Sequence, residues 1–147
     1  MHAAGDILKA ARTIIVVDWP SRDVPETLSR AGYTTIVKGG PEPDNYSVYE
    51  LRGGEVVARR LDRAPEQADL VYVHRPLDEL AQIVSMAVRM SAKGIWYQSG
   101  LAQDGTRDPQ GCWIPNDSSQ QASRMVESAG LSYVDNLYIA NAVRQLG

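Results

Sequence analysis

Residues 13–38 read TIIVVDWPSRDVPETLSRAGYTTIVK, and this stretch decides the fold. Thr13 to Val17 is a β-branched run of near-continuous apolar character, as in a strand buried on both faces. A short polar turn follows. Val24, Leu28 and Ala31 then share one helical face that stops at Gly32, a residue suited to end a helix. Tyr33 to Lys38 reads as the second strand. Strand, helix and strand in this order make a βαβ unit, where a nucleotide-binding α/β protein keeps its phosphate loop. Yet the turn here contains no glycine. Ser21 and Asp23 both qualify as the helix N-cap. Asp23 is preferred, because Pro25 then falls in the first turn and Glu26 completes a capping box.

The same alternation runs outward in both directions. Ile7, Leu8 and Ala11 mark a short amphipathic helix before the first strand. YSVYEL and EVVARRL flank Arg52-Gly53-Gly54, which reads as a β-hairpin or as one strand with a bulged neighbour. Leu70 to His74 is a strand, and Pro76 opens a helix with Leu77, Leu80, Val84 and Val88 on one stripe. Gly94 to Gln98 is a strand, and Ser118 to Ala129 a helix with Ala122, Met125, Val126 and Ala129 inward and Gly130 as its cap. Leu131 to Val134 closes the sheet, and Tyr138 to Leu146 is a terminal helix. Repeated strand and helix signals of this kind indicate an α/β fold with an open, parallel sheet.

The 147 residues, 44% hydrophobic, suit one compact domain spanning 1–147. The net charge of -3 speaks against nonspecific nucleic-acid binding, which needs a basic excess. Cys112 is the only cysteine, so an intrachain disulfide and the usual zinc spacings are excluded. A reducing, cytoplasmic setting is expected. No run approaches the ~20 apolar residues of a membrane span. The start, MHAAGDILKAAR, contains Asp6 and lacks a signal peptide's apolar centre, so a mature, soluble protein is expected.

Open parallel sheets bind ligands beyond the carboxyl ends of their strands. The residues there are Asp18, Trp19, Pro20, Ser21 and Arg22 after the first strand, and Lys38, Gly39 and Gly40 after the second. His74 and Arg75 follow the strand at Leu70, Gln98 ends the strand at Gly94, and Ser99 and Gly100 follow it. Arg22, Lys38 and Arg75 are expected to converge on this edge and favour a polyphosphate ligand. The alternative is that each pairs with a nearby carboxylate such as Asp18 or Asp135.

The run DILKAARTIIVV, Pro20-Ser21, LSRAGYTTIV, ADLVYVHRP, GIWYQSG and YVDN resembles the small stand-alone CoA-binding domain proteins. These are relatives of the CoA-binding domain of the succinyl-CoA synthetase α subunit. The most specific pieces are Trp96, Gln98 and Gly100 in W-x-Q-x-G, and Lys38-Gly39-Gly40 is similar to a lysine-glycine-glycine run in the synthetase subunit. The resemblance implies a Rossmann-like, mainly parallel five-stranded sheet of order 3-2-1-4-5 with helices on both faces. It also implies CoA or acyl-CoA lying across the carboxyl edge, as a small-molecule nucleotide ligand of a non-catalytic module.

Departures from the family pattern fall at that edge. The family turn usually carries a glycine and several more residues before its Pro-Ser, whereas only Asp18 and Trp19 intervene here. Without glycine the backbone approaches a pyrophosphate less closely, Pro20 has no amide hydrogen, and Asp18 repels phosphate unless turned away or protonated. Trp19 is expected to fill the vacated space. An Asp-Arg-Cys of many family members is Asp135-Asn136-Leu137 here, so any role of that thiol is absent. Leu101 to Pro115 is an expanded loop, read as a lid or a contact patch.

Other chemistries fit less well. A dehydrogenase needs the glycine fingerprint and an acidic residue about 20 positions on; Lys38 stands there and suits a terminal phosphate, as on CoA or NADP. A Cys112-His74 nucleophile pair is weighed against an unreactive loop thiol and a packing histidine, and the latter is preferred. Tyr46, Tyr49, Tyr72, Trp96 and Tyr97 read as packing residues, with an adenine contact as the alternative. The rival function is a degenerate module that has lost its nucleotide and acts as a homo-oligomerising or partner-binding protein. Its contact surface would be the 101 to 115 loop.

Overall fold

The structure, a computed structural model, describes residues 4–19, 21–39 and 45–146. Pro20 and Gly40, two of the candidates above, lie outside the described residues. The chain runs α1 (Ala4–Ala10), β1 (Thr13–Val17), α2 (Asp23–Arg30), β2 (Thr34–Lys38), β3 (Tyr46–Arg52), β4 (Glu55–Arg60) and β5 (Leu70–Val73). A 3-10 turn at Leu77–Glu79 leads into α3 (Leu80–Arg89), followed by β6 (Gly94–Tyr97), α4 (Asn116–Ser128), β7 (Ser132–Val134) and α5 (Ile139–Leu146).

These strands form a seven-stranded sheet of order β4-β3-β2-β1-β5-β6-β7. The fold is α/β and Rossmann-like, and two strands more than expected are present. β3, β2, β1, β5 and β6 reproduce the 3-2-1-4-5 order, with β4 added at one edge and β7 at the other. β2, β1, β5, β6 and β7 are parallel neighbours, but β3 is antiparallel to both β2 and β4. For β3 and β4 the reason lies in Gly53-Gly54, which take φ +59° and +86° between the paired residues Arg52 and Glu55. Two successive residues at positive φ make the tight turn of a two-residue hairpin, and glycine enters that region without penalty. The hairpin thus replaces a crossover helix, and among the described residues no helix lies between β2 and β5.

Alternation along the parallel strands sorts the core into two layers. Ile15, Val17, Val71, Val73, Ile95 and Tyr97 pack with residues of α3 and α4. Ile14, Val16, Leu70, Tyr72 and Trp96 face α1, α2 and α5. Both sides being covered, the strands need apolar residues at every position, which is why TIIVV reads as an unbroken run. Each such side chain contributes roughly 1.5–3 kcal/mol when removed from water.

The helices correct three expectations. Asp23 is the first residue of α2 and not its cap: Arg22 occupies that position with no side-chain capping bond. Instead, the Asp23 carboxylate accepts hydrogen bonds from Thr27 at 3.0 Å, Tyr138 at 2.7 Å, and Arg144. Val88 is exposed, and the buried face of α3 is Leu80, Ile83, Val84, Met86 and Ala87. Ala129 is likewise exposed, while Ala122 and Val126 carry the contact of α4. The end of α2 behaves as read: Gly32 N–H donates to Ser29 and Tyr33 N–H to Leu28, the paired bonds of a Schellman cap.

Candidate functional site

The carboxyl ends of β1, β2, β5 and β6 define one edge, and two clefts open along it. The larger, of about 1010 Å³, is lined by Lys38, Tyr46 and residues of α3 such as Ile83 and Met86, and by the segment 64–66. The smaller, of about 670 Å³, lies over β5 and β6 and is lined by His74, Tyr97, Ser99, Gly100 and much of the 101–115 loop. Asp18 and Arg75 line both clefts and so form the partition between them.

The turn after β1 answers the question of the missing glycine. Asp18 has φ +59°, the left-handed conformation that glycine normally supplies and that aspartate tolerates better than most residues. Its Oδ1 accepts a hydrogen bond from the Trp19 amide at 2.8 Å, and its Oδ2 accepts one from Arg75 Nη1 at 3.0 Å. A backbone N–H and a guanidinium are donors that suit a phosphate, and here a carboxylate of the chain occupies them. Trp19 is half-buried and packs against the core layer on the α1, α2 and α5 side.

Arg75 is engaged on its other side as well. Its Nε and Nη2 reach the two oxygens of Glu79 at 3.0 and 2.6 Å, a bidentate pair. The hydrogen bonds to Glu79 and then Asp18 hold Arg75 firmly protonated, and the reciprocal bond from Arg75 lowers the pKa of Glu79. Pairing with nearby carboxylates, the alternative weighed for each cation, is therefore what the structure has at Arg75. Lys38 joins Arg75 in the larger cleft and adds to the field that keeps Glu79 ionised. Arg22 does not join them: it is exposed and pairs with Glu26 at 3.4 Å along α2. Ser21 is close enough to hydrogen-bond the Tyr138 hydroxyl, and Gly39 donates its amide to Asn45 at 3.0 Å.

The W-x-Q-x-G residues hold the fold together beside the smaller cleft. Trp96 Nε1 donates to the Leu137 carbonyl at 2.8 Å. Gln98 is fully buried; its Oε1 accepts from the Tyr72 hydroxyl and its Nε2 donates to the Pro109 carbonyl at 2.9 Å. Gln98 is thus a clamp between sheet and loop, and both ends of its amide are occupied within the protein. Gly100 has φ +73°, and a Cβ there would lie 2.4 Å from Cε1 of His74. Only glycine fits that seat.

The 101–115 loop is a folded wall. Gly100 N–H donates to Gly111, Asp108 N–H to Gly100, and Trp113 N–H to Leu101, at 2.9, 2.9 and 3.1 Å. Cys112 is half-buried, and burial, followed by the charges of Asp108 and Asp135, pushes its thiol up to about 12. Such a thiol stays protonated at neutral pH, so the Cys112-His74 nucleophile pair is set aside.

Sequence reading missed Glu79, Arg89 and the segment 64–66, because they come from a 3-10 turn, a helix and a loop and not from strand ends. Glu79 alone carried a signal, lying four residues after Arg75. Tyr72 and Trp96 are core residues as read, whereas Tyr46 and Tyr97 are buried yet contribute to the lining of the larger and the smaller cleft respectively. Among the described residues no helix is long and apolar enough to cross a membrane.

An open sheet of this order, with clefts along its carboxyl edge, defines the class: a Rossmann-like α/β fold. Within it, the chain belongs to the CoA binding domain family, whose model matches residues 12–141. Two solved structures share the fold. Prb, a PH1109 protein redesigned for binding, is 20% identical over 97% of this chain and 88% of its own, with a TM-score of 0.63. Cell-free ID.343 from Thermus thermophilus is 24% identical over 97% and 95%, with a TM-score of 0.57. None of the curated proteins matches.

Proposed function

We propose that the protein binds CoA or an acyl-CoA across the carboxyl edge of its sheet. The adenosine and its 3'-phosphate occupy the larger cleft beside Lys38, the pyrophosphate crosses at Asp18 and Arg75, and the pantetheine arm enters the smaller cleft. The observation that carries this reading is the shared partition: two clefts meeting at the Asp18–Arg75 pair suit a long ligand whose phosphates, in its middle, compete with the Asp18 carboxylate for Arg75. Family membership supplies the ligand class. The single thiol left unpaired suits a cytoplasmic setting. Native mass spectrometry of protein purified from its own cells tests the reading. A bound mass of CoA or a CoA thioester is expected, and an apo protein that also ignores added CoA would refute it.

Self-association is a second reading, favoured by β4. Among the described residues this edge strand pairs only with β3, and Val57 is 39% exposed on it. Antiparallel pairing with a second copy centred on Val57 would set Glu55 of each strand opposite Arg59 of the other, a complementary pattern. Sedimentation should then give a dimer that Val57→Lys converts to a monomer; a wild-type monomer at high concentration removes this reading.

A further inference from the structure

His74 offers the smaller cleft a chemistry beyond holding a ligand. Its Nδ1 lies 3.2 Å from the carbonyl oxygen of Gln98. A carbonyl only accepts, so Nδ1 carries a proton, and of the two neutral tautomers this bond selects the one with its lone pair on Nε2. Nε2 has no hydrogen-bond partner among the described residues, and no buried side-chain polar atom among them lacks one, so Nε2 is open to solvent. The ring is seated against Gly100, whose missing Cβ makes room for it. Asp18, Arg75, Tyr97, Arg107 and Asp108 are the charged or titratable groups that line the cleft with His74. Arg75 is neutralised by Asp18 and Glu79, and the Tyr97 hydroxyl donates to the Arg75 carbonyl at 2.9 Å.

We infer that His74 is a general base for a thiol bound in this cleft, the pantetheine thiol of CoA. The step is a proton transfer: the S–H bond breaks, Nε2 gains the proton, and the electron pair stays on sulfur. The products are a thiolate and an imidazolium, each stabilised by the other. This inference rests on the CoA reading above. It separates a protein that activates CoA from one that only carries it.

The test is alkylation of the CoA thiol by iodoacetamide, followed against pH at saturating protein, with CoA binding measured by calorimetry on the same samples. For the wild type, the midpoint of the profile should fall by about one pH unit or more below that of free CoA. His74→Phe keeps a ring in the same seat and should return the midpoint to the free value, with calorimetry giving the loaded fraction of each protein. Equal midpoints in the two proteins would overturn the base while leaving CoA binding intact. No heat of binding with the wild type would overturn the CoA reading and the base together. Nitrogen NMR of the free protein is an independent check that needs no variant: His74 should show the Nδ1–H tautomer, and an Nε2–H tautomer would overturn the inference.

Discussion

At residue scale, two positions hold the site by conformation. Gly100 is both left-handed and in contact with His74, so Gly100→Ala should cost about 1–2 kcal/mol for the backbone and about 1–3 kcal/mol for the overlap. Urea unfolding of Gly100→Ala, His74→Ala and the double variant separates the two costs. The double variant should recover the overlap but not the backbone cost, and fully additive losses would show that the ring and the glycine do not meet. Asp18 presents the opposite case, a non-glycine residue in a left-handed turn. Asp18→Gly should stay folded and free both the Trp19 amide and Nη1 of Arg75, whose Nε and Nη2 stay with Glu79. CoA affinity should then rise about tenfold, given the ~1.5–3 kcal/mol typical of charge-assisted hydrogen bonds. Asp18→Ala frees the same donors but should lose roughly 1 kcal/mol of stability for want of glycine's freedom. Unchanged affinity in Asp18→Gly, measured by calorimetry, would mean that the carboxylate does not compete with the ligand.

At the scale of elements, α2 is tied to α5 by a polar cluster around Asp23. Partial burial works against ionisation there, but hydrogen bonds from Tyr138 and Thr27 and the charge of Arg144 outweigh it, so the carboxyl titrates below its ordinary value. A carboxyl lowered by folding stabilises the protein above its unfolded pKa and loses that contribution as pH falls through the folded one. The same cluster acts in reverse on Tyr138, which burial and then Asp23 push up to about 12. A raised tyrosine contributes below its ordinary pKa near 10 and loses the contribution as pH rises toward 12. Urea unfolding against pH should show both limbs; Asp23→Asn should flatten the acid limb, and an unchanged acid limb would exclude Asp23 as its source. This cluster was not legible in the sequence, where Asp23 reads as a cap, because Tyr138 and Arg144 lie 115 and 121 residues away. Local signals fared better: TIIVV, the Gly32 cap and Gly53-Gly54 each specify their element through nearest neighbours.

At the scale of the whole molecule, the edge was legible because strand ends can be read from periodicity, and β1, β5 and β6 do deliver Asp18, His74 and Arg75, and Ser99 and Gly100 to adjoining clefts. What periodicity could not give was side-chain direction at the edge: Gln98 turns into the core, Arg22 lies along α2, and Arg75 is claimed by two carboxylates. Packing decides the first, i,i+4 carboxylates decide the second and share the third with the distant Asp18, and strand periodicity reads none of these. On the proposed reading, this edge takes a long nucleotide but is guarded by its own anions, and Asp18 competes with a phosphate for the Trp19 amide and Arg75 Nη1. The most direct measurement is unfolding stability with saturating CoA, dephospho-CoA or NAD. At a hundredfold excess over its dissociation constant, CoA should add about 2.7 kcal/mol. At equal concentrations dephospho-CoA should add less, for lack of a phosphate to meet Lys38, and NAD should add nothing. Equal stabilisation by all three, or by none, would contradict CoA binding at this edge.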